Sequence, residues 1–328
     1  MGRRAGAALL AALLLAPQAR AASGKAGTAA GQFLRLPVDA RAAALGQAYG
    51  ALAEDASAAF WNPAGLATLE TNEFALHSAT LVAGRSHVLG AYFPSRGIGV
   101  LGGAVYLVDY GDLERTDDNG NTIARIAPRN FAFLASYATA LAGSFAFGLS
   151  YKLVQFRVDC SGDCTNFPVG QGTTHAIDLG GQFRAGAGGP LRLGVALRNV
   201  GFKLQVQNKP QADPLPARLA VGAQYHVLLP TRDGAPPGER FDLRVAADVD
   251  SPWGHQGSSE LRVGLDVGYQ RLVRVRGGYA FVQDGLSGPS VGLGVENGSI
   301  GVDLARTFLT GSDLQVENPT FFSFRVTF

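Results

Sequence analysis

The sequence predicts an all-β membrane protein, an antiparallel β-barrel of about fourteen strands with a short N-terminal helical plug. Three observations carry that prediction. From Asn72 to the end, segments of roughly ten residues alternate apolar residues with polar or small ones, the pattern of strands with two different faces. The links between those segments are mostly short and long in turn, as in a barrel with tight turns at one rim and larger loops at the other. Ahead of them, Thr28 to Ala67 is rich in Ala and Gly and carries helix-start and turn signals, yet is too small to fold alone. Short side chains suit an element that must fit inside something.

Arg3 and Arg4, the apolar run Ala7 to Leu15 and the Ala19-Arg20-Ala21 site read as a secretory signal over residues 1–21, with the mature chain starting near Ala22. The run is well short of the ~20 residues of a spanning helix. No lipidation cysteine lies near the cleavage site, and no later stretch is apolar enough for a transmembrane helix. The 44 glycines favour β structure, and a net charge of +2 offers no basic stripe for nucleic acid. No nucleic-acid partner is expected.

Residues 22–71 are assigned to the plug, or hatch. Pro37 and Asp39 predict a helix over Ala40 to Leu45, and Asp55 predicts a second over Ala56 to Phe60. Pro63 ends the second helix. Asn62, Pro63, Ala64 and Gly65 read as a turn, with Gly65 free to take positive φ. Three segments here, Gly31 to Leu34 (G-x-F-L, one residue shorter), Ala40 to Gly46 and Asp55 to Leu66, follow one another as G-x-x-F-L, A-R-x-x-x-L-G and D-x-x-x-x-x-x-N-P-A-G-L segments do in the PorV/PorQ family, which the stretch resembles. Where that family often has Gly-Gly, this chain has Gly46-Gln47. The resemblance implies a hatch inside an outer-membrane barrel that is not an enzyme, works in protein secretion or surface-cargo handling of type IX kind, and has secreted proteins or secretion components as partners. A looser resemblance to FadL-type transporters implies the alternative, passage of hydrophobic small molecules such as long-chain fatty acids.

The barrel is assigned to 72–328, with strands expected at 72–82, 86–94, 97–109, 127–140, 143–158, 173–184, 190–200, 216–229, 240–250, 258–269, 271–282, 289–296, 299–309 and 319–328. Two links break the length parity, Val82 to Arg85 and Pro230 to Glu239. The clearest alternation puts Asp242, Arg244, Asp248, Glu260, Arg262, Asp266, Arg274 and Arg276 on the inner face. They form either a polar lane for a solute or a cross-strand salt-bridge lattice holding the plug. Their balanced signs favour the lattice, since a selective pore more often shows one sign. On the same register Val263 and Leu265 face lipid, while Gly264 and Asp266 should accept polar replacements.

At the C-terminus Phe322, Phe324, Val326 and Phe328 share one face. This ending resembles the signal by which barrels are recognised for assembly, which implies the bacterial outer membrane, its lipid and the barrel assembly machinery as surroundings. Closure pairs this strand with the first, because lipid tolerates no open edge. Gly97 to Gly102 matches G-x-G-x-x-G, but strand residues follow where phosphate binding needs a helix, so these glycines are read as making room for the plug. Cys160 and Cys164 are a disulfide candidate in an outer loop, with no further ligands nearby for a metal. His77 and Ser78 are adjacent on a strand and face opposite ways, so they cannot share a proton. No catalytic constellation or cofactor motif is found.

Overall fold

The computed structural model describes residues 29–165, 170–186, 189–205, 212–228, 241–254, 257–270, 272–283, 285–310 and 317–328. The signal at 1–21, the start of the plug at 22–28, and the Pro230 to Glu239 link lie outside them.

Among the described residues fifteen strands follow the plug: β1 (Glu73–Thr80), β2 (Arg85–Ser95), β3 (Gly99–Asp109), β4 (Leu113–Thr116), β5 (Thr122–Ala142), β6 (Phe145–Gly162), β7 (Gly170–Arg184), β8 (Leu191–Gly201), β9 (Arg218–Leu228), β10 (Phe241–Pro252), β11 (Glu260–Tyr269), β12 (Val273–Val282), β13 (Gly288–Asn297), β14 (Ile300–Thr307) and β15 (Thr320–Thr327). Chain neighbours pair antiparallel, except that β3 skips β4 to pair with β5. β15 pairs with β1 from Glu73↔Thr327 to Thr80↔Thr320, which closes the barrel. Fourteen strands therefore make the wall. β4 lies outside the ring and pairs only with β5.

This corrects the reading of Tyr110 to Ile126 as one long loop. β5 and β6 run 21 and 18 residues, well past the ~10 that cross a bilayer, so together with β4 they project beyond the membrane as a ribbon. Their pairing extends to Ala124↔Gly162, beyond the last residues expected of either strand. The short links and both ends of the barrel strand series lie at one rim, the periplasmic side in such barrels.

The alternation becomes an apolar outside and a mixed inside. Val245, Leu261, Leu265, Val275, Leu293 and Leu304 are exposed on the outer face, while Asp248, Arg262, Asp266 and Arg276 are buried on the inner one. The core is consequently the lumen, and the plug fills it. Leu45, Tyr49, Leu52 and Leu66 are at most 1% exposed. Each buried aliphatic or aromatic chain of this size contributes about 1.5–3 kcal/mol.

Within the plug, Gln32–Arg35 forms one 3-10 turn after Gly31 at φ 67°. Helix α1 covers Ala40–Ala44 and is capped by Asp39, whose carboxylate accepts from Arg41 N–H. Helix α2 covers only Ala58–Trp61. Asp55 does cap the segment, accepting from Ser57 N–H at 3.1 Å, but the chain first makes tighter turn bonds, Ala58 N–H to Asp55 O at 2.9 Å and Ala59 N–H to Ala56 O at 3.4 Å, so the helix begins only at Ala58. Asn62 ends α2 and caps a 3-10 helix over Pro63–Thr68 by accepting from Ala64 N–H. Asn62 to Gly65 forms the expected turn, with Gly65 N–H donating to Asn62 O at 2.9 Å as the first turn of that 3-10 helix, but Gly65 does not take positive φ. Its need for glycine is spatial: a Cβ there would lie 2.2 Å from the Ala53 carbonyl oxygen.

Candidate functional site

The lumen is where the polar residues of both the plug and the wall converge. Inward-facing glycines form the seats. A Cβ on Gly148 of β6 would lie 2.1 Å from Pro63 C, on Gly180 of β7 2.2 Å from Asn62 Oδ1, and on Gly278 of β12 2.1 Å from Leu45 C. Gly194 of β8 faces Gly50 O at 2.5 Å on the same construction, and Gly292 of β13 faces the Ala44 methyl. Three corrections to the sequence reading follow. Gly264 of β11 cannot take a side chain freely, because its Cβ would lie 2.7 Å from Leu45 O. Asp266 is likewise no free polar site, being ion-paired to Arg274 and Arg276. The glycines of 97–102 are not the room-makers: Gly97 and Gly99 have φ of 81° and 117°, and Gly102 lies under the Tyr92 ring.

Wall side chains meet plug backbone that is left unpaired by such short helices. Ser290 of β13 accepts from Gly46 N–H and donates to Ala44 O, both at 2.9 Å. Ser323 of β15 accepts from Ala40 N–H at 2.8 Å, Glu73 of β1 from Ala56 N–H at 2.8 Å, and Asp248 of β10 from Gly50 N–H at 2.6 Å. Gln182 of β7 donates to Ala53 O at 2.9 Å. Asn62, fully buried, donates to Gly50 O at 2.8 Å and to Gly181 O of β7 at 3.1 Å. It thus joins plug to plug and plug to wall through one amide.

Two plug carboxylates are the charged centre. Glu54 pairs with Arg41 at 2.7 Å, with Arg192 of β8 at 3.2 Å, and with Arg244 of β10. Burial works to raise its pKa, but Arg244, Arg41 and Arg192 outweigh that and hold it well below the usual carboxylate range. Asp55 is paired with Arg41 at 3.3 Å and Arg325 of β15 at 3.5 Å, and accepts from Tyr49 O–H at 3.0 Å. Burial raises it too, yet Arg41, Arg325 and the Ser57 hydroxyl leave it lowered on balance.

The eight wall charges singled out from sequence fall on the inside and are largely linked to one another. Asp242 pairs with Arg274 at 2.8 Å, Arg274 with Asp266 at 2.9 Å, and Arg276 with both Asp266 and Asp303. Toward the outer rim Arg262 reaches Asp250 at 3.1 Å and also Glu260, which in turn holds Arg35 of the plug. That geometry is a lattice. Sequence reasoning missed Glu54, Arg192, Arg325, Ser290, Ser323 and the glycine seats. The available signal was polar or glycine residues at inward positions of the late strands.

Phe322 and Phe328 are exposed on the outer face of β15, while Phe321 and Ser323 point inward. Cys160 and Cys164 are joined by a disulfide at the tip of β6. His77 lies 2.9 Å from Ser323 and Ser78 lies 3.1 Å from His87, on opposite sides of the wall. The crevice between Leu34, Val38, Phe60, Trp61 and Tyr106 holds about 10 Å³, room for a water at most.

The family model described as type IX secretion system protein PorV matches residues 18–238. None of the curated proteins compared with the chain matches it. Among solved structures, the P. putida toluene transporter TodX superposes with a TM-score of 0.57 at 13% identity, over 88% of this chain and 99% of that one. The Ralstonia pickettii toluene transporter TbuX gives 0.56 at 13%, over 88% and 98%. A Pseudomonas aeruginosa FadL homologue gives 0.53 at 14%, over 89% and 98%. At such identities the likeness shows the fold alone, a barrel like those of TodX, TbuX and the FadL homologue.

Proposed function

The chain belongs to the PorV family of type IX secretion system proteins, and from that premise we propose that it serves protein secretion or surface-cargo handling as a closed, non-enzymatic barrel. The observation that carries this reading is the filled lumen. A conduit for a hydrophobic solute needs an apolar chamber of some 300 Å³ or more, and the crevice beside Trp61 and Tyr106 is more than an order of magnitude smaller. The wall instead spends its inward side chains on gripping the plug. The projecting β4–β6 ribbon, stiffened at its tip by the Cys160–Cys164 disulfide, supplies a surface outside the membrane where a cargo protein or secretion component can dock.

The competing reading is a transporter for hydrophobic molecules, as the names of TodX and TbuX describe those proteins. A host strain lacking this chain separates the two. On the secretion reading, exported cargo accumulates in the periplasm and returns to the surface on complementation, while uptake of long-chain fatty acids and toluene is unchanged. Normal cargo export with lost uptake would overturn it.

A further inference from the structure

At the periplasmic rim a polar cavity of about 170 Å³ lies between plug and wall, lined by Glu54, Arg184, Arg192, Gln224, His226 and Arg244. Its charges do not balance. Arg192 and Arg244 both turn to Glu54, which Arg41 also holds from the plug side; Arg41 has Asp55 as a second partner and Arg244 has Asp242, whereas Arg192 has Glu54 alone among the described residues. Asp242, next along β10, is divided among Arg274 at 2.8 Å, His226 at 3.3 Å and Arg244 at 3.6 Å. The Arg184 guanidinium has no hydrogen bond or ion pair among the described residues. The Gln224 side chain lines the cavity, keeps its amide accessible and makes no hydrogen bond among the described residues. A guanidinium's donors suit the oxygens of an anion, and an amide N–H facing the same cavity can donate to them too.

We infer that this cavity is a binding site for a small oxyanion, a carboxylate or phosphate group entering from the periplasm. Arg184 and Arg192 supply the charge and the Gln224 amide donates a further hydrogen bond. Glu54 keeps Arg192 and Arg244 aimed inward and sets a ceiling on affinity. The site is independent of the secretion reading, since Arg184 and Gln224 take no part in gripping the plug.

Calorimetric titration of the purified, detergent-solubilised protein at low salt tests it with succinate, inorganic phosphate and neutral succinamide. Succinate or phosphate binds and succinamide does not, and the better of the two anions tells carboxylate from phosphate. Arg184→Gln weakens binding by about tenfold, the loss expected for one charge-assisted hydrogen bond. Gln224→Leu keeps the side chain's bulk and weakens it too. Both variants keep heat-modifiable gel mobility, so weaker binding is not lost folding. Anions that bind no better than succinamide, or an Arg184→Gln protein as tight as the parent, would overturn the site.

Discussion

Asn62 is the residue on which the plug's shape turns. It ends one helix, caps the next and crosses to β7, and Gly180 is glycine because Asn62 Oδ1 sits where its Cβ would be. Gly180→Ala should therefore overpack the contact and destabilise the protein by about 1–3 kcal/mol, read as a lower midpoint in a denaturant titration of the reconstituted barrel. An unchanged midpoint would mean that plug and wall do not interlock there. Glu54 makes a different prediction. Its folded pKa is depressed, so its contribution is present above the unfolded value of about 4.3 and is lost as pH falls through the lower folded value. Protection of the plug from an acid-active protease should stay flat from neutral pH to about 5 and decline only in stronger acid. Glu54→Gln, which leaves Arg192 without its carboxylate while Arg41 keeps Asp55 and Arg244 keeps Asp242, should weaken the plug at neutral pH by about 3 kcal/mol, at the lower end for a buried pair because Glu54 retains some exposure. A plug that loosened first on the alkaline side would contradict the assignment.

Among the elements, the strands were the legible part of the sequence, because a two-residue period with oil on one face is a local pattern. The β10 to β12 alternation alone puts all eight charges on the inner face, where the structure has them. β4 was not legible: Leu113–Thr116 shows no alternation of its own and is exposed except at half-buried Arg115, so nothing in four residues separates it from a loop. The plug's geometry was only half legible. The Ala and Gly content announced close approach, but which glycine meets which carbonyl depends on barrel closure, a non-local fact. Two tests belong here. Val263→Arg and Leu265→Arg, on the outer face of β11, should each cost about 2–4 kcal/mol in lipid. Gly264→Ser, between them and under Leu45, should fail for want of space rather than solvation, so Gly264→Ser should disturb plug protection from protease where Leu265→Arg does not. Deleting Phe328 from the outward face of β15 should leave export to the periplasm intact but reduce membrane insertion, judged by heat-modifiable mobility. Normal insertion would count against the terminal strand as an assembly signal.

For the whole molecule, barrel and plug are one folding unit. The wall's inner face is glycine where the plug backbone passes and polar where plug N–H and C=O groups need partners. Removing the plug would leave those charges and donors facing water in an open tube about fourteen strands around. The two rims differ accordingly: a ribbon projects from one, where we propose partners dock, and an arginine-lined cavity lies at the other, where we propose a small anion binds. The central claim is that the plug seals the lumen, and conductance across a planar bilayer measures that directly. The parent protein should be closed, Asn62→Ala combined with Pro63→Ala should admit protease to residues 22–66 and show some conductance, and a barrel lacking 22–66 should conduct most. A parent that conducts as well as the plugless barrel, or a plugless barrel that inserts, keeps its heat-modifiable mobility and still passes no current, would contradict the account.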